Sequence, residues 1–181
     1  MKNKTLFELL TTYHPAEPEE KKFKQDMLEL LNNPTCFERS RQEGHFTASC
    51  WLLSKDETQA LLMHHTKLDQ WFQLGGHCDG DSDVLAVALK EAQEESGMNN
   101  IVPVSHDIFD IDIHLIPASS KHSAHYHYDV RFLLKVASDE KIVKNSESKE
   151  LRWITRDSAS LPPVNESVKR MFTKWTKKYG F

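Results

Sequence analysis

The sequence is poor in cysteine, in long apolar runs and in net positive charge, and each shortage excludes a class of protein. Three cysteines occur among 181 residues, and Cys36, Cys50 and Cys78 form no Cys-x-x-Cys pair. A disulfide framework is therefore not expected, and a reducing cytoplasm is the natural setting. No window approaches the roughly 18 apolar residues that a membrane-spanning helix needs, so we expect no membrane association.

The composition instead indicates a folded domain, to which a nucleotide-sized anion could still bind at a local site. The formal net charge is −4, which gives no global field to attract a nucleic acid polymer. With 39% hydrophobic and 28% charged residues, the chain can bury a core, and its length suits one domain. We expect a helical N-terminal extension over residues 1–44, packed on a core domain over residues 45–181, and leave a homodimer open.

The spacing of apolar residues predicts strands mixed with helices, and hence an α/β or α+β sandwich. Helices are expected over residues 18–32 and 84–96, the second ending at Gly97, and a last helix follows Leu161-Pro162-Pro163. Strands are expected over residues 46–53, 58–64, 107–116, 125–134 and 151–154. A short apolar stretch, Trp71 to Leu74, leads directly into Gly75-Gly76.

Three carboxylates share one side of the helix predicted over residues 84–96. Glu91, Glu94 and Glu95 are spaced i, i+3 and i+4, beside a predicted apolar arc of Leu85, Ala88, Leu89 and Ala92. Two carboxylates about 5–6 Å apart repel by roughly 3 kcal/mol at an effective dielectric constant of about 20. A bound Mg²⁺ or Mn²⁺ ion would remove this repulsion, because both ions prefer oxygen ligands. A solvated acidic face is the alternative that the spacing leaves open.

The segment from Gly76 to Met98, which reads GHCDGDSDVLAVALKEAQEESGM, resembles the Nudix box. The matching positions are Gly76, Glu91, Ala92, Glu94, Glu95, Gly97 and Met98. The preceding stretch from Trp71 to Gly75 is similar to the Trp-x-x-Pro-Gly lead-in of the family, with Leu74 in place of proline. This resemblance implies an α/β/α sandwich with a mixed sheet, and a reaction in which a diphosphate linkage is hydrolysed with Mg²⁺ or Mn²⁺.

The resemblance also implies roles for individual residues. Glu91, Glu94, Glu95 and the backbone carbonyl of Gly75 would bind metal, and Glu91 or Glu94 would act as the base. Many Nudix enzymes add a carboxylate from a later loop. Glu147 and Glu150 are both candidates for it here, and an exposed acidic turn is the equally simple interpretation of the two.

Two positions depart from the family pattern. The first glutamate of the box falls on Ser82, and its arginine falls on Lys90. In the family these two residues brace the loop and orient the first metal-binding glutamate. Asp81 or Asp83 could replace the carboxylate, and Lys90 keeps the positive charge without the fork of arginine. We interpret the pair as a variant brace in which Lys90 is the orienting residue, and leave reduced or unusual activity open.

A row of polar side chains follows the strand predicted over residues 125–134. His125, His127, Asp129 and Arg131 alternate with Tyr126, Tyr128, Val130 and Phe132, so the four polar residues share one face. We predict that this face binds substrate and that Arg131 forks onto a phosphate. Loss of the His127 side chain should also weaken substrate binding, with an effect that eases at higher pH if its imidazolium contacts phosphate. A solvated strand face is the alternative.

Several other residues receive a weaker interpretation. His77 follows the double glycine, where a substrate phosphate or a metal would pass, although a plain loop residue fits nearly as well. Asn165 resembles the base-contacting asparagine of nucleoside-triphosphate-cleaving Nudix enzymes, and helix capping is the alternative. We interpret Cys78 as a bystander thiol. The remaining histidines interpreted as structural or surface residues are His64, His65, His106, His114 and His122.

Three functions are compared on these features. The first is hydrolysis of a nucleoside diphosphate linked to another group. The second is isomerase chemistry, because isopentenyl diphosphate isomerases share this fold and hold a metal through histidines. In those enzymes the cysteine precedes the histidine by two residues, whereas Cys78 follows His77. The third is a non-catalytic nucleotide-binding module, which the changes at Ser82 and Lys90 keep under consideration.

Overall fold

The structure is a computed structural model that describes residues 4–119, 123–138 and 141–180. The chain divides into two compact units. Unit 1 comprises Met1–Ser49, Gly76–Ala88 and His106–Phe132, and unit 2 comprises Cys50–Gly75, Leu89–Ser105 and Leu133–Phe181. No helix within the described ranges is both long enough and apolar enough to cross a bilayer.

The described residues form four α-helices and eight strands, which confirms the predicted α/β class with a mixed sheet. The helices are α1 Leu6–Thr12, α2 Pro18–Leu30, α3 Val84–Ser96 and α4 Glu166–Lys178. The strands are β1 Gly44–Leu53, β2 Gln59–His65, β3 Trp71–Phe72, β4 Leu74–His77, β5 Ile101–Pro103, β6 Asp110–Ile116, β7 His125–Val136 and β8 Ser148–Thr155. A single 3₁₀ turn follows β8 at Ser158–Ser160.

Hydrogen bonding joins the strands in the order β3-β2-β1-β7-β5, with β4 beside β1, β6 beside β7 and β8 beside β2. In unit 2, β2 and β8 form the longest ladder, antiparallel from Gln59↔Thr155 onward, and an isolated parallel bridge joins Trp71 to Val164. In unit 1, β6 and β7 pair antiparallel, and this register places Asp110 opposite Arg131. The sheet is therefore mixed, with antiparallel ladders predominating.

The N-terminal helices are held by a buried carboxylate. Glu20 is fully buried and accepts hydrogen bonds from the Tyr13 hydroxyl (2.5 Å) and from the backbone N–H groups of Ala16 (2.8 Å) and Glu17 (2.9 Å). These bonds fix the connection between α1 and α2, because a buried carboxylate needs several donors. α2 contacts β6 within the same unit. The division of the chain at residue 44 stays a prediction.

Helix α3 spans the residues that its periodicity predicts, and it ends at Gly97. This glycine has a φ of +72°, in the left-handed region. A Cβ built on it would lie 2.6 Å from the Cβ and 2.7 Å from the backbone oxygen of Val143, so space as well as backbone conformation requires glycine. The buried face of α3 differs from the predicted arc: Val84, Val87, Ala88 and Ala92 are buried, whereas Leu85 and Leu89 are half-buried.

The core of unit 2 includes the apolar face of α4. Val168, Met171, Phe172 and Trp175 are buried, and the Trp175 ring lies 6.0 Å from that of Trp51 on β1. Two elements were not predicted. β5 is a three-residue strand, and the apolar stretch at residues 71–74 is divided into β3 and β4, the latter continuing to His77.

Candidate functional site

Glu95 continues the buried face of α3 and is the most enclosed of the three glutamates. Its side chain lies one turn beyond Ala92, and the residue is 4% exposed. The carboxylate accepts a hydrogen bond from the backbone N–H of Gly75 at 2.8 Å. Burial, only partly offset by this bond, raises the pKa of Glu95 to about 8, and the charges of Glu91, Glu147 and Glu94 raise it further. The site therefore concentrates negative charge around one buried carboxyl group.

Glu91 and Glu94 lie on the more accessible side of α3. The Glu91 side chain is 16% exposed and the Glu94 side chain is 57% exposed. Lys90 Nζ lies 3.8 Å from an oxygen of each, so the ammonium group reaches both carboxylates at the outer limit of an ion pair. This position suits the orienting role predicted for Lys90, which stays a prediction.

Glu147 and Glu150, the two candidates for an additional carboxylate ligand, have different surroundings. Glu147 is exposed and close enough to Glu95 for its charge to raise the pKa of that carboxyl group. Glu150 instead pairs with Arg152, whose Nη2 lies 2.8 Å from Glu150 Oε1 and whose guanidinium stacks on Trp71 at 4.5 Å. Of the two, Glu147 is therefore the one whose charge acts on Glu95, and its role as an additional metal ligand stays a prediction.

In unit 1 the polar row of β7 is buried at one end, which contradicts the role predicted for Arg131. Arg131 is 1% exposed, and its guanidinium contacts three carboxylates: Asp129 at 2.7 Å, Asp110 at 2.9 Å and Asp112 at 3.2 Å. The predicted common face is correct, because β6 places Asp110 opposite Arg131 and Asp112 opposite Asp129. What covers that face is an ion cluster, so the Arg131 fork holds carboxylates and not a substrate phosphate.

Asp129 is likewise a buried residue of this cluster and not a substrate-facing one. It is 3% exposed and accepts hydrogen bonds from the hydroxyls of Thr47 (3.1 Å) and Ser49 (2.7 Å) on β1 as well as from Arg131. The three strands β1, β7 and β6 therefore contribute polar side chains to one buried set. Such a network is stable only when its members are hydrogen-bonded, as those of Asp129 are.

The other end of the polar row belongs to a cluster of histidines. His45 from β1, His77 from the end of β4, and His127 from β7 have ring centroids 4.9–5.3 Å apart. His125 lies 5.1 Å from His127 and 5.2 Å from His45. His114, opposite His127 in the β6–β7 register, is 5.5 Å away and donates from Nδ1 to Asp112 at 3.0 Å.

A glycine allows β1 to approach β7 where the histidines meet. Gly44 has a φ of +148°, and a Cβ built on it would lie 2.5 Å from the backbone oxygen of Tyr126. Any other residue would force the strands apart at this point. The next residue along β1 is His45, so the close approach places its ring beside those of His125 and His127.

Burial favours the neutral form of three histidines of the cluster, His45, His77 and His127. Burial lowers the pKa of His77 to about 4, and the charge of Arg39 lowers it further. Burial, together with the neighbouring histidines, lowers the pKa of His127 to about 2, and burial lowers the pKa of His45 despite its bond to Arg41. An imidazolium contact between His127 and phosphate is therefore disfavoured, because a neutral ring presents a lone pair and no charge, and the role of His127 in binding substrate stays a prediction.

The other predicted residues have structural contacts. Asn165 Oδ1 accepts the N–H of Val168 at 2.9 Å and so caps α4, which supports the capping interpretation. Asp83 Oδ1 accepts the N–H of Ala86 at 3.1 Å, at the start of α3. Cys78 is buried, and burial raises the pKa of its thiol, as suits a bystander.

The remaining histidines divide between turns and solvent. His64 stacks on Trp71 with ring centroids 4.9 Å apart, and His65 Nδ1 accepts the N–H groups of Lys67 and Leu68 at 3.2 Å. His106 is exposed, and His122 lies outside the described residues. The sequence did not connect two members of the histidine cluster with the polar row of β7. The first, His45, has no spacing signal, whereas the alternation Asp110, Asp112 and His114 on β6 contained the signal for the second, His114.

The family of the chain follows from comparison with known proteins. The model of the NUDIX domain family matches residues 44–176. A NUDIX-family hydrolase from Clostridium perfringens has a similar structure, with a TM-score of 0.57, 25% identity, and coverage of 75% of this chain and 97% of that chain. No curated protein matches.

Two further solved structures are similar in fold at lower identity. An Ap4A hydrolase of C. elegans, in a binary complex, has a TM-score of 0.60 and 16% identity, covering 75% of this chain and 98% of that chain. An ADP-ribose pyrophosphatase from Streptococcus suis 89-1591 has a TM-score of 0.54 and 18% identity, with coverage of 75% and 92%. The family match spans most of the chain and includes the glutamates of α3, so this chain belongs to the Nudix family and is an enzyme of that family.

Proposed function

We propose that this chain hydrolyses a diphosphate linkage in a nucleoside diphosphate joined to another group, and that a divalent cation is required. One observation carries the proposal. Glu95, at a Nudix-box position, is a buried carboxylate anchored to the Gly75 N–H at 2.8 Å and surrounded by the charges of Glu91, Glu94 and Glu147. A cation bound among these groups would offset their repulsion.

The donor set fits Mg²⁺ or Mn²⁺. Glu91, Glu94, Glu95 and the Gly75 carbonyl would hold the ion, and Glu147 is the later carboxylate that we propose to join them. All of these donors are oxygens, which such hard cations prefer. When bound, the ion would polarise phosphoryl oxygens and lower the pKa of a coordinated water.

The residues of the chain would divide the remaining work. The Gly75 N–H fixes one oxygen of Glu95, so this carboxylate keeps one orientation whether or not a cation is present. Lys90 reaches Glu91 and Glu94 from the solvent side and would orient them. We propose that Glu91 or Glu94 accepts the proton of the attacking water, and the 57% exposure of the Glu94 side chain gives solvent access to that position.

Isomerase chemistry is set aside because of the state of Cys78, and a non-catalytic binding module is distinguished from an enzyme by its behaviour in an assay. Isomerase chemistry would need a reactive thiol, and Cys78 is buried with its thiol pKa raised. A non-catalytic binding module would keep nucleotide affinity when the glutamates are neutralised and would show no turnover. Ap4A and ADP-ribose, the compounds named for two of the similar structures, are accordingly among the first substrates to test.

The setting and partners are proposed on fewer observations. Cys36 and Cys78 are free and buried, which suits the reducing cytoplasm that we predicted. A small diphosphate would be the substrate, and no nucleic acid polymer is proposed as a partner. Homodimer formation stays a prediction that analytical ultracentrifugation would test.

The experiment that tests the function is a substrate panel with matched variants. Wild-type protein, Glu94→Gln and Glu95→Gln would be incubated with nucleotide sugars, dinucleoside polyphosphates, ADP-ribose, dinucleotide cofactors and deoxynucleotides, with Mg²⁺ or Mn²⁺. We expect one class to be cleaved into two phosphate-bearing products by wild type, with kcat reduced by orders of magnitude in both variants. Thr173→Ala, on exposed α4 surface, is the matched control. Cleavage at the wild-type rate by both glutamine variants would refute the proposal.

A further inference from the structure

The histidine cluster of unit 1 has the arrangement of a metal-binding site. Among the described residues, His45, His77 and His127 form the group in which three candidate ligand atoms lie within 4.8 Å of one another. The three side chains come from β1, β4 and β7, which are held by the strand pairing. The donor atoms are imidazole nitrogens, so the site differs in chemistry from the oxygen ligands of α3.

His45 supplies the strongest observation. Its residue is 1% exposed, and its Nδ1 faces the backbone oxygen of Arg41 at 3.4 Å. A carbonyl oxygen only accepts hydrogen bonds, so Nδ1 carries the proton and Nε2 presents its lone pair. His45 Nε2 is buried and has no hydrogen-bond partner. A ring nitrogen left unpaired in the interior costs free energy, and a cation bound to the lone pair would supply the missing partner.

The hydrogen bond at Nδ1 is also the one that metal-binding histidines use. A ligating histidine usually donates its second N–H to a carbonyl or carboxylate, which fixes the tautomer and the orientation of the ring. His125 repeats the pattern, since its Nδ1 lies 2.8 Å from the backbone oxygen of Ser123. His125 Nε2 then faces His127 Nε2 at 3.3 Å.

We propose that His45, His77 and His127 bind one divalent transition-metal ion of the Zn²⁺ class, with His125 beside the ion. Imidazole nitrogens suit Zn²⁺, Co²⁺, Ni²⁺ and related ions, and they do not suit Mg²⁺. Three protein ligands leave at least one coordination position open, as in zinc sites that take a water or a ligand oxygen. The cluster adds a second ion, of a different kind, to the one proposed for the glutamates.

The main alternative is a hydrogen-bonded histidine network without metal. In that arrangement one ring would donate across the 3.3 Å contact between His125 and His127. It would leave the buried His45 Nε2 without a partner, so the network accounts for fewer of the observed contacts. The two arrangements differ in whether the folded protein takes up a stoichiometric ion.

The test uses full-length, untagged protein, stripped with a chelator and dialysed into buffer that contains excess Mg²⁺ to occupy the carboxylates. Zn²⁺ binding would be measured by calorimetry, and Co²⁺ binding by its visible d–d absorption, which reports coordination geometry. We expect one equivalent to bind, with His77→Ala and His127→Asn each weakening affinity at least about 100-fold, since loss of even an outer-shell partner costs 10–100-fold. His106→Ala, which removes an exposed histidine of the same unit, should bind as wild type.

A measurement on wild type alone guards against variants that fail to fold. In histidine ¹⁵N spectra, Zn²⁺ should shift the ring nitrogens of His45, His77 and His127 and leave those of His64, His65 and His106 unchanged. Absence of a bound equivalent, or equal affinity in wild type and in folded His77→Ala, would overturn the proposal. Glu94→Gln should retain the ion, so failure of the hydrolase proposal would not be confused with failure of this one.

Discussion

Replacing Arg131 by methionine would remove the guanidinium that holds three buried carboxylates. The side chain contacts Asp129, Asp110 and Asp112 at 2.7–3.2 Å and is 1% exposed. Methionine fills a volume similar to that of arginine, so the loss of stability comes mainly from electrostatics. Three buried aspartates would then share one region without their guanidinium partner, and Asp129 would keep the hydroxyls of Thr47 and Ser49 as donors.

The expected cost is large because one partner of a buried ion cluster is removed while the others remain. Such changes destabilise proteins by about 3–5 kcal/mol. For a chain of 150–250 residues, each kcal/mol lowers the thermal midpoint by about 2–4 °C, so Arg131→Met should lower it by about 6–20 °C. Arg131→Lys keeps the charge but cannot contact three carboxylates at once, and we expect an intermediate loss.

Thermal and urea unfolding, followed by circular dichroism, would measure these losses. Lys169→Ala is the matched control, because Lys169 pairs with Glu166 on the surface, where the two side chains are 52% and 87% exposed. An exposed ion pair contributes about 0–1 kcal/mol to stability, so the thermal midpoint of the control variant should change little. If Arg131→Met kept the midpoint of wild type and only raised KM, the residue would contact substrate and the structural assignment would be refuted.

Three further predictions follow from single contacts. Lys90→Arg should keep or raise kcat and Lys90→Ala should lower it, because the ammonium group reaches Glu91 and Glu94; equal steady-state rates in all three proteins would show that position 90 has no catalytic role. Gly97→Ala should destabilise the fold by at least about 1 kcal/mol in urea unfolding, through its positive φ and its approach to Val143, and Val143→Ala should not restore the loss because the backbone oxygen is also in contact. Hydrogen bonds from Lys135, and then from Tyr179, lower the pKa of Glu57, so ionised Glu57 stabilises the fold fully above the ordinary glutamate pKa and loses this effect as the pH falls through its lowered pKa. Glu57→Gln should therefore have a lower thermal midpoint than wild type at pH 7, and the difference should vanish in acid. A difference that does not depend on pH would contradict this assignment of Glu57.

Helix α3 could be predicted from sequence because its signals are local. Apolar spacing set its bounds at residues 84–96, and Gly97 set its end. The position of Glu95 was also implied by the box spacing. The burial of Glu95 was not implied by the sequence. The predicted apolar arc included Leu85 and Leu89, which are half-buried, and lacked Val84 and Val87, which are buried.

The polar row of β7 shows what alternation leaves undetermined. The pattern identified which four side chains share a face, and the structure agrees. It could not say that Asp110 and Asp112 of β6 cover Arg131, since that depends on strand pairing across a loop. The alternation of charged residues on both strands is nevertheless visible in the sequence. The pairing of the two strands, which alternation alone does not give, is what places these charged faces together.

The histidine cluster shows a different limit. His45, His77 and His127 are far apart in the chain, and no spacing rule connects them. Their convergence depends on three strands and on the close approach at Gly44. The chain contains ten histidines, so their abundance was visible in the composition. The composition did not show which of them lie close together.

The measurement that tests the central claim most directly is the metal dependence of diphosphate cleavage. Wild-type protein would be treated exhaustively with chelator, assayed on the substrate found in the panel, and assayed again during titration with Mg²⁺. We expect turnover to be lost on chelation and restored by Mg²⁺ in wild type, and Glu94→Gln to stay nearly inactive at the same Mg²⁺ concentrations. Unchanged turnover after chelation, or full restoration of Glu94→Gln by Mg²⁺, would contradict the assignment of the α3 glutamates as the catalytic metal site.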